Sequence, residues 1–243
     1  MSFLSVSELS KEHGFELPFD LIYEDSALLV FNKPSGLLSV PGKGPDKADC
    51  LRTRVQQVYP EALTVHRLDM STSGILLMAR SAALHRKLSI AFQDREVKKR
   101  YIAVVDGHIR DRGALEQDAK NGVQSDDPAT WRLIDLPIAT DWVNRPLQKI
   151  DMQAGKPSQT RYKVLSYDAA TDTTRVELAP ITGRTHQLRV HLQSIGHPIL
   201  GDHLYASPET MAKSARLLLH ASQLTLTQPI TGEMLDLHCE APF

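Results

Sequence analysis

Two β-rich runs, Ile22-Tyr23 and residues 28–31, flank the polar tripeptide Glu24-Asp25-Ser26, a spacing that predicts a hairpin. Asn32-Lys33-Pro34-Ser35-Gly36 and then Pro41-Gly42 break the pattern. Leu51, Val55 and Val58 recur on one helical face, which Pro60 ends. Residues 65–69 lead into a polar turn over 70–74, and the unbroken apolar run 75–79 predicts a buried strand. Ser81 is placed to cap a helix whose apolar stripe is Leu84, Leu88, Ala91 and Phe92. Residues 100–105 predict a strand that Asp106-Gly107 stops, and 161–167 and 174–178 predict two more about the turn 168–172. Over 185–195 the period is helical again, with Leu188, Leu192 and Ile195 on one face and Gly196 at the end. Residues 224–227 and 234–238 alternate as half-buried strands. Many strands, few helices and no regular βαβ alternation predict an α+β domain with a mainly antiparallel sheet.

Composition sharpens this picture. With 243 residues, 42% of them hydrophobic, the chain can bury a substantial core. Residues 1–20 read as a loosely attached lead-in and 21–243 as one domain. A polar, Asp-rich stretch over 111–135, with Asn121-Gly122 and Asp127-Pro128, reads as a surface insertion at about 117–133. No apolar run is long enough to span a membrane and the first residues carry no apolar signal core, so a cytoplasmic protein is expected. The two cysteines, Cys50 and Cys239, make neither a zinc site nor a disulfide framework and read as packed thiols. His186 and His191, and His197 and His203, lack zinc-helix spacing, so no metal is expected. No glycine-rich phosphate loop or Ser or Cys nucleophile motif occurs, so no nucleotide cofactor is expected either.

The net charge of −1 hides a polarised chain. Between His66 and Arg100, eight bases face three acids, for +5; between Asp111 and Asp141, three bases face seven acids, for −4. A local basic face can hold phosphates although the total is neutral, and an ordinary solvated surface fits the same numbers.

Two segments carry candidate chemistry. In His66-Arg67-Leu68-Asp69-Met70-Ser71-Thr72-Ser73-Gly74 an acid stands at a strand-to-turn junction, with an arginine two residues before it. If the lead-in is extended, Arg67 and Asp69 share a face; read alone, Asp69 is equally a cap for its own turn. In Thr182-Gly183-Arg184-Thr185-His186-Gln187-Leu188-Arg189, His186, Arg189 and Gln193 fall on the side of the helix away from the apolar stripe. Thr182 and Gly183 precede its first turn, where unpaired amides can receive a phosphate. A plain amphipathic helix accounts for the same pattern.

The His66–Gly74 motif resembles the catalytic motif of the RluA family of pseudouridine synthases. Asn32-Lys33-Pro34-Ser35-Gly36-Leu37-Leu38-Ser39-Val40-Pro41-Gly42 is similar to the family's N-terminal block, and Lys99-Arg100-Tyr101 to its tyrosine motif. Thr182–Arg189, Gly196-His197-Pro198-Ile199-Leu200-Gly201-Asp202 and Arg216-Leu217-Leu218-Leu219-His220-Ala221 follow in family order. The likeness runs from about Leu21 to Phe243. Asp141-Trp142-Val143-Asn144-Arg145-Pro146 and Gly155-Lys156-Pro157 resemble the subgroup that acts on both 23S rRNA and the anticodon stem-loop of certain tRNAs.

The resemblance implies a long mixed, mainly antiparallel sheet with flanking helices and a central active-site cleft. The short lead-in leaves no room for the S4 RNA-binding domain of many relatives. It implies an isomerase that turns uridine into pseudouridine in structured RNA, as a monomer without cofactor. Asp69 is then the catalytic carboxylate, Arg189 the basic partner that keeps it ionised and oriented, and Tyr101 the aromatic surface for the uracil. Arg67 either fills the space left by the flipped base or holds a phosphate. His66, Lys98, Lys99, Arg100 and Arg184 join it as RNA contacts, which position a substrate without specifying it. Leu188 or Leu219 is an apolar wall or plain core. Alternatives are the same chemistry on another structured RNA, a glycosylase releasing free uracil, and a non-catalytic RNA-binding module. The acidic insertion is expected to stay clear of phosphate, so that deleting 118–130 changes RNA affinity little.

Overall fold

The computed structural model describes residues 19–109 and 131–243. The lead-in through residue 18, and the insertion through residue 130, lie outside them. In chain order the strands are β1 (Asp20–Glu24), β2 (Leu28–Lys33), β3 (Leu63–Thr64), β4 (Ser73–Ala79), β5 (Lys98–Asp106) and β6 (Arg132–Asp135). They continue with β7 (Ile138–Thr140), β8 (Gln148–Ile150), β9 (Gln159–Asp168), β10 (Thr173–Pro180), β11 (Leu219–Thr227) and β12 (Met234–His238). The α-helices are α1 (Leu51–Gln56), α2 (Ala82–Gln93), α3 (Gln187–Ser194) and α4 (Pro208–Ala212). The chain divides into two compact units, residues 1–101 with 219–243, and residues 102–218.

In the first unit the strand order is β1-β2-β4-β11, with β3 also on β4 and β12 also on β11. All these pairs are antiparallel except β4 with β11, where Ser73 faces His220 and Gly74 faces Ala221. The expected hairpin is β1–β2, and Asp25 shapes its turn by accepting from the amides of Ala27 and Leu28, both at 2.7 Å. Every residue of β4 is buried, and the core explains why. Leu76 and Met78 pack with Leu29, Phe31, Leu51 and Val55 on one side, while Ile75, Leu77 and Ala79 pack with Val30, Leu88, Leu224 and Leu226 on the other. A strand covered on both faces reads as an unbroken apolar run rather than an alternating one. Each such side chain contributes about 1.5–3 kcal/mol by leaving water. Ser81 caps α2 as expected, accepting from the Leu84 amide at 3.3 Å.

In the second unit, which takes the part of β5 from Ile102 onward, the order is β5-β10-β9-β6, with β7–β8 as a separate hairpin. β6 pairs with β9 from Arg132–Tyr162 to Asp135–Gln159, so residues 132–133 belong to a strand and not to the insertion. The period-2 signal is weak over so few residues, and the Asp-rich sequence before them masked it. Among the described residues no helix is long and apolar enough to cross a membrane.

Candidate active site

Asp69 stands in an irregular link between β3 and β4, not in a strand. The expectation that Arg67 and Asp69 share a strand face therefore fails: Arg67 is exposed, Leu68 is buried and Asp69 is half-buried. The backbone of the link is held from outside. The Thr72 amide donates to the Asp69 carbonyl at 3.1 Å and closes the turn. Ser39 accepts from the Leu68 amide at 3.0 Å and donates to the Leu68 carbonyl at 2.7 Å. The Ser35 hydroxyl donates to the Ser71 carbonyl at 2.7 Å, and the Gly36 amide to the Met70 carbonyl at 2.8 Å. Lys33, fully buried, points its ammonium at the carbonyls of Leu37, Pro34 and Met70, at 2.7, 2.8 and 3.1 Å. An ammonium has three donors, and three carbonyls meet them. The 32–42 block is thus the clamp of the Asp69 turn.

The turn runs directly into β4. Ser73 and the His220 Nδ1 are 2.8 Å apart, and His220 Nε2 lies 3.2 Å from the Cys239 carbonyl. A carbonyl only accepts, so Nε2 carries the proton and Nδ1 accepts from Ser73. Gly74, at φ +106°, has no room for a side chain: a Cβ would come within 2.3 Å of the Ala221 carbonyl oxygen. Only glycine suits that backbone conformation and that approach.

Tyr101 lies on β5, with Lys99 on the same strand face and Lys98 and Arg100 on the other. Burial, and next the negative charge of Asp69, push the Tyr101 phenol above its ordinary range. The Asp69 charge therefore reaches the buried Tyr101 phenol, which stays neutral at physiological pH. Lys99 is half-buried, and burial lowers its pKa. Lys98, Lys99 and Arg100 cannot track one phosphate chain together, because alternation turns Lys99 inward; Lys98 is exposed.

His66 takes a role different from the expected RNA contact. Its Nε2 accepts from the Leu77 amide at 3.0 Å and its ring stacks on Phe92 at 4.7 Å. Burial, and next the Lys99 charge, push its pKa down to about 3. A neutral imidazole that accepts from the backbone offers a phosphate no positive charge, so this geometry makes His66 an anchor of the link.

In the second unit α3 is buried almost all round, from Gln187 through Leu192, in place of the expected solvated face. Arg189 is 2% exposed. Its Nε and Nη2 donate to the two carboxylate oxygens of buried Asp202 at 2.8 and 2.6 Å, and its guanidinium lies 5.1 Å from the Tyr205 ring centroid. Asp202 also accepts from the Leu204 amide at 2.9 Å. A buried charge is tolerable only when paired and hydrogen-bonded in this way. Gln187 accepts from the Thr182 hydroxyl at 2.7 Å and the Arg184 amide at 3.0 Å, and donates to Gln159 and Thr160. The Thr182 amide goes to the Gln159 carbonyl. Amides so used are not open to phosphate, which corrects the expected anion site at Thr182; the Arg184 side chain remains exposed. Among the described residues no group of His, Cys, Asp or Glu is placed to hold a metal.

Sequence reasoning missed Lys33, Ser39, Gln187 and Asp202 as individual residues. A lysine two residues past the apolar run 28–31 is the one linear signal among them. Nothing in the spacing of Arg189 and Asp202 announces their pairing.

The chain matches the family model described as RNA pseudouridylate synthase over residues 27–194, a stretch that runs through both units. It is 49% identical over 224 residues to the dual-specificity RNA pseudouridine synthase RluA of Yersinia pestis, covering 92% of this chain and 99% of that protein. To the protein of the same name from Escherichia coli K12 it is 48% identical over 223 residues, covering 92% and 93%. The solved structure of human RNA pseudouridylate synthase domain containing 1 superposes with a TM-score of 0.73 at 28% identity, covering 100% of this chain and 87% of that one. Matched in sequence across both units and in its α+β fold, the chain belongs to the RluA family of RNA pseudouridine synthases and is an isomerase acting on RNA.

Proposed function

We propose that this enzyme isomerises uridines in 23S rRNA and in the anticodon stem-loop of tRNAs, with Asp69 as its carboxylate and residues 21–243 as one catalytic domain. The observation that carries the site assignment is that the charge of Asp69, in a turn clamped by the 32–42 block, reaches the buried Tyr101 phenol. The dual specificity in the names of the two bacterial relatives supports two RNA classes.

The reaction breaks the C1′–N1 bond, turns the uracil and joins C5 to C1′. The C5 proton then leaves and N1 gains one, so no oxidant, hydrolysis or energy source is consumed. The uridine first leaves its stack, at about a few kcal/mol, less for a loop nucleotide than for a paired one. A neutral Tyr101 gives the uracil a flat, apolar surface that does not compete for its polar edge. A carboxylate such as that of Asp69 is suited to an anomeric carbon, as nucleophile or as stabiliser of positive charge. Arg189 is assigned to the same chemistry as its cation, and Asp202 to holding it. Arg67, Lys98, Arg100 and Arg184 are assigned to phosphates. The enzyme is assigned to the cytoplasm, as a monomer.

Tritium release from RNA labelled at uridine C5 tests this reading, since C5 loses its hydrogen only after the new carbon–carbon bond forms. Wild type is expected to release tritium from both 23S rRNA and tRNA transcripts, and Asp69→Asn from neither. Release of free uracil in place of tritium would make the enzyme a glycosylase. Undiminished release by the variant would move the chemistry to another residue.

A further inference from the structure

The β7–β8 hairpin of the second unit carries an exposed cluster that the catalytic chemistry does not use. Trp142 is 72% exposed, Val143 91% and Met152 73%. Isolated apolar residues on a surface need no explanation, whereas an indole and a valine adjacent at one turn, both largely in solvent, stand out; Met152 lies beyond the other end of the hairpin. The turn that bears Trp142 is well ordered. The Asp141 carboxylate accepts from the amides of Val143 and Asn144, both at 3.3 Å, and from the Asn144 side chain at 2.9 Å. The Asp141 amide donates to the Leu147 carbonyl at 3.0 Å. The Arg145 guanidinium lies 4.7 Å from the Trp142 ring centroid and backs the indole, most of whose surface still faces solvent.

Charge on the hairpin favours one kind of occupant. Arg145, Lys149 and Lys156 are exposed. The two acids, Asp141 and Asp151, are turned onto backbone amides, Asp151 accepting from Gln153 and Ala154 at 3.0 and 2.9 Å. Lys149 shares its charge with both acids, which leaves Arg145 beside the indole as the cation with no acid opposite it among the described residues, and a flat aromatic surface next to a guanidinium suits a nucleobase with its phosphate better than an apolar peptide. The stem is also fixed in place. The Gln148 amide donates to the Tyr205 hydroxyl at 2.9 Å, which lies 2.7 Å from His186 Nδ1 at the start of α3. Tyr205 is the ring beneath Arg189, so the hairpin is anchored to the helix that carries that residue.

We propose that Trp142 and Arg145 form a stacking subsite for an unpaired nucleobase of the RNA substrate, distinct from the uridine that is isomerised. The indole stacks the base, and Arg145 backs the indole and meets a neighbouring phosphate. The proposal rests on the chain acting on RNA and not on which RNA it prefers.

The test compares wild type with Trp142→Ala, Trp142→Phe and Arg145→Ala, by RNA affinity on an anticodon stem-loop and on a 23S rRNA fragment, by melting temperature, and by tritium release at saturating RNA. Trp142→Ala is expected to raise Kd by about 5- to 100-fold on the RNA whose base it stacks, the range that loss of one base–aromatic stack gives. Trp142→Phe recovers most of the affinity, melting is unmoved because the side chain is exposed, and turnover at saturation stays near wild type. Kd unchanged on both RNAs overturns the proposal, as does a loss in Trp142→Phe equal to that in Trp142→Ala. Sedimentation that shows wild type self-associating through Trp142, with Kd unmoved, also overturns it. A wrong assignment of the RNA target registers separately, as absent turnover by wild type.

Discussion

At the scale of single residues, environment divides labour among groups of similar chemistry. His66 and Asp69 are three apart in one motif, yet the first is turned to the Leu77 amide and the charge of the second reaches Tyr101. Because the folded pKa of His66 is depressed to about 3 from an ordinary value of 6.5, its contribution to stability is complete above about pH 6.5 and is lost as pH falls toward 3. Between pH 6.5 and 5 that loss is at most about 2 kcal/mol. Denaturant midpoints at these two pH values are expected to fall less in His66→Gln than in wild type. His191, also lowered by burial, leaves a residual slope of the same sign. For Tyr101 the proposed functional part is the ring, not the hydroxyl. Tyr101→Phe is expected to keep kcat/KM within about tenfold, while Tyr101→Leu loses about 10–100-fold, the magnitude of one base stack. Equal losses in the two variants would assign the phenol hydrogen a chemical role.

At the scale of elements, the clamp over the Asp69 turn is the unit that matters. β2 ends in Lys33, whose ammonium meets three carbonyls, and the following block supplies Ser35, Gly36 and Ser39 to the backbone of 68–71. The clamp fixes the backbone from which the carboxylate projects. Lys33→Met keeps the stem and removes the donors, stranding buried carbonyls; a stability loss of about 2–4 kcal/mol is expected in chemical denaturation. Turnover is expected to fall further than RNA affinity, because a displacement of about 1 Å at a reacting group costs on the order of 100-fold. An equal fall in both would make Lys33 a general stabiliser with no positioning role.

At the scale of the whole molecule, a net charge of −1 coexists with RNA chemistry because the charges are segregated along the chain. Phosphate contacts act through counterion release, so each exposed cation that meets a phosphate adds about 0.7 to the slope of log affinity against log salt on single strands and about 0.9 on duplex. Lys98→Ala and Arg184→Ala are each expected to lower that slope by about one contact, uniformly across RNA sequences. A variant that leaves the slope unmoved removes its residue from the RNA interface.

The hairpin β1–β2, the buried strand β4, the Ser81-capped helix α2 and the strands β9 to β12 were legible in the chain, since local periodicity and turn chemistry dictate them. So were the motifs that hold Asp69 and Tyr101, because each is contiguous. The short strands β6, β7 and β8 were not, being too brief for a period to register. Nor were the inward turn of His66, the use of the Thr182 and Arg184 amides by neighbours, or the carboxylate that holds Arg189. By itself, then, the sequence determined most of the elements and the family, because each of their signals is written within a few neighbouring residues, and it proposed the reacting groups from the same motifs. Tertiary structure alone decided which polar groups are spent on the protein's own backbone and which remain for RNA. That partition depends on hydrogen-bond partners 11 to 37 residues apart, as in Leu77 to His66 and Lys33 to Met70, and on the cost of leaving any buried donor unmatched.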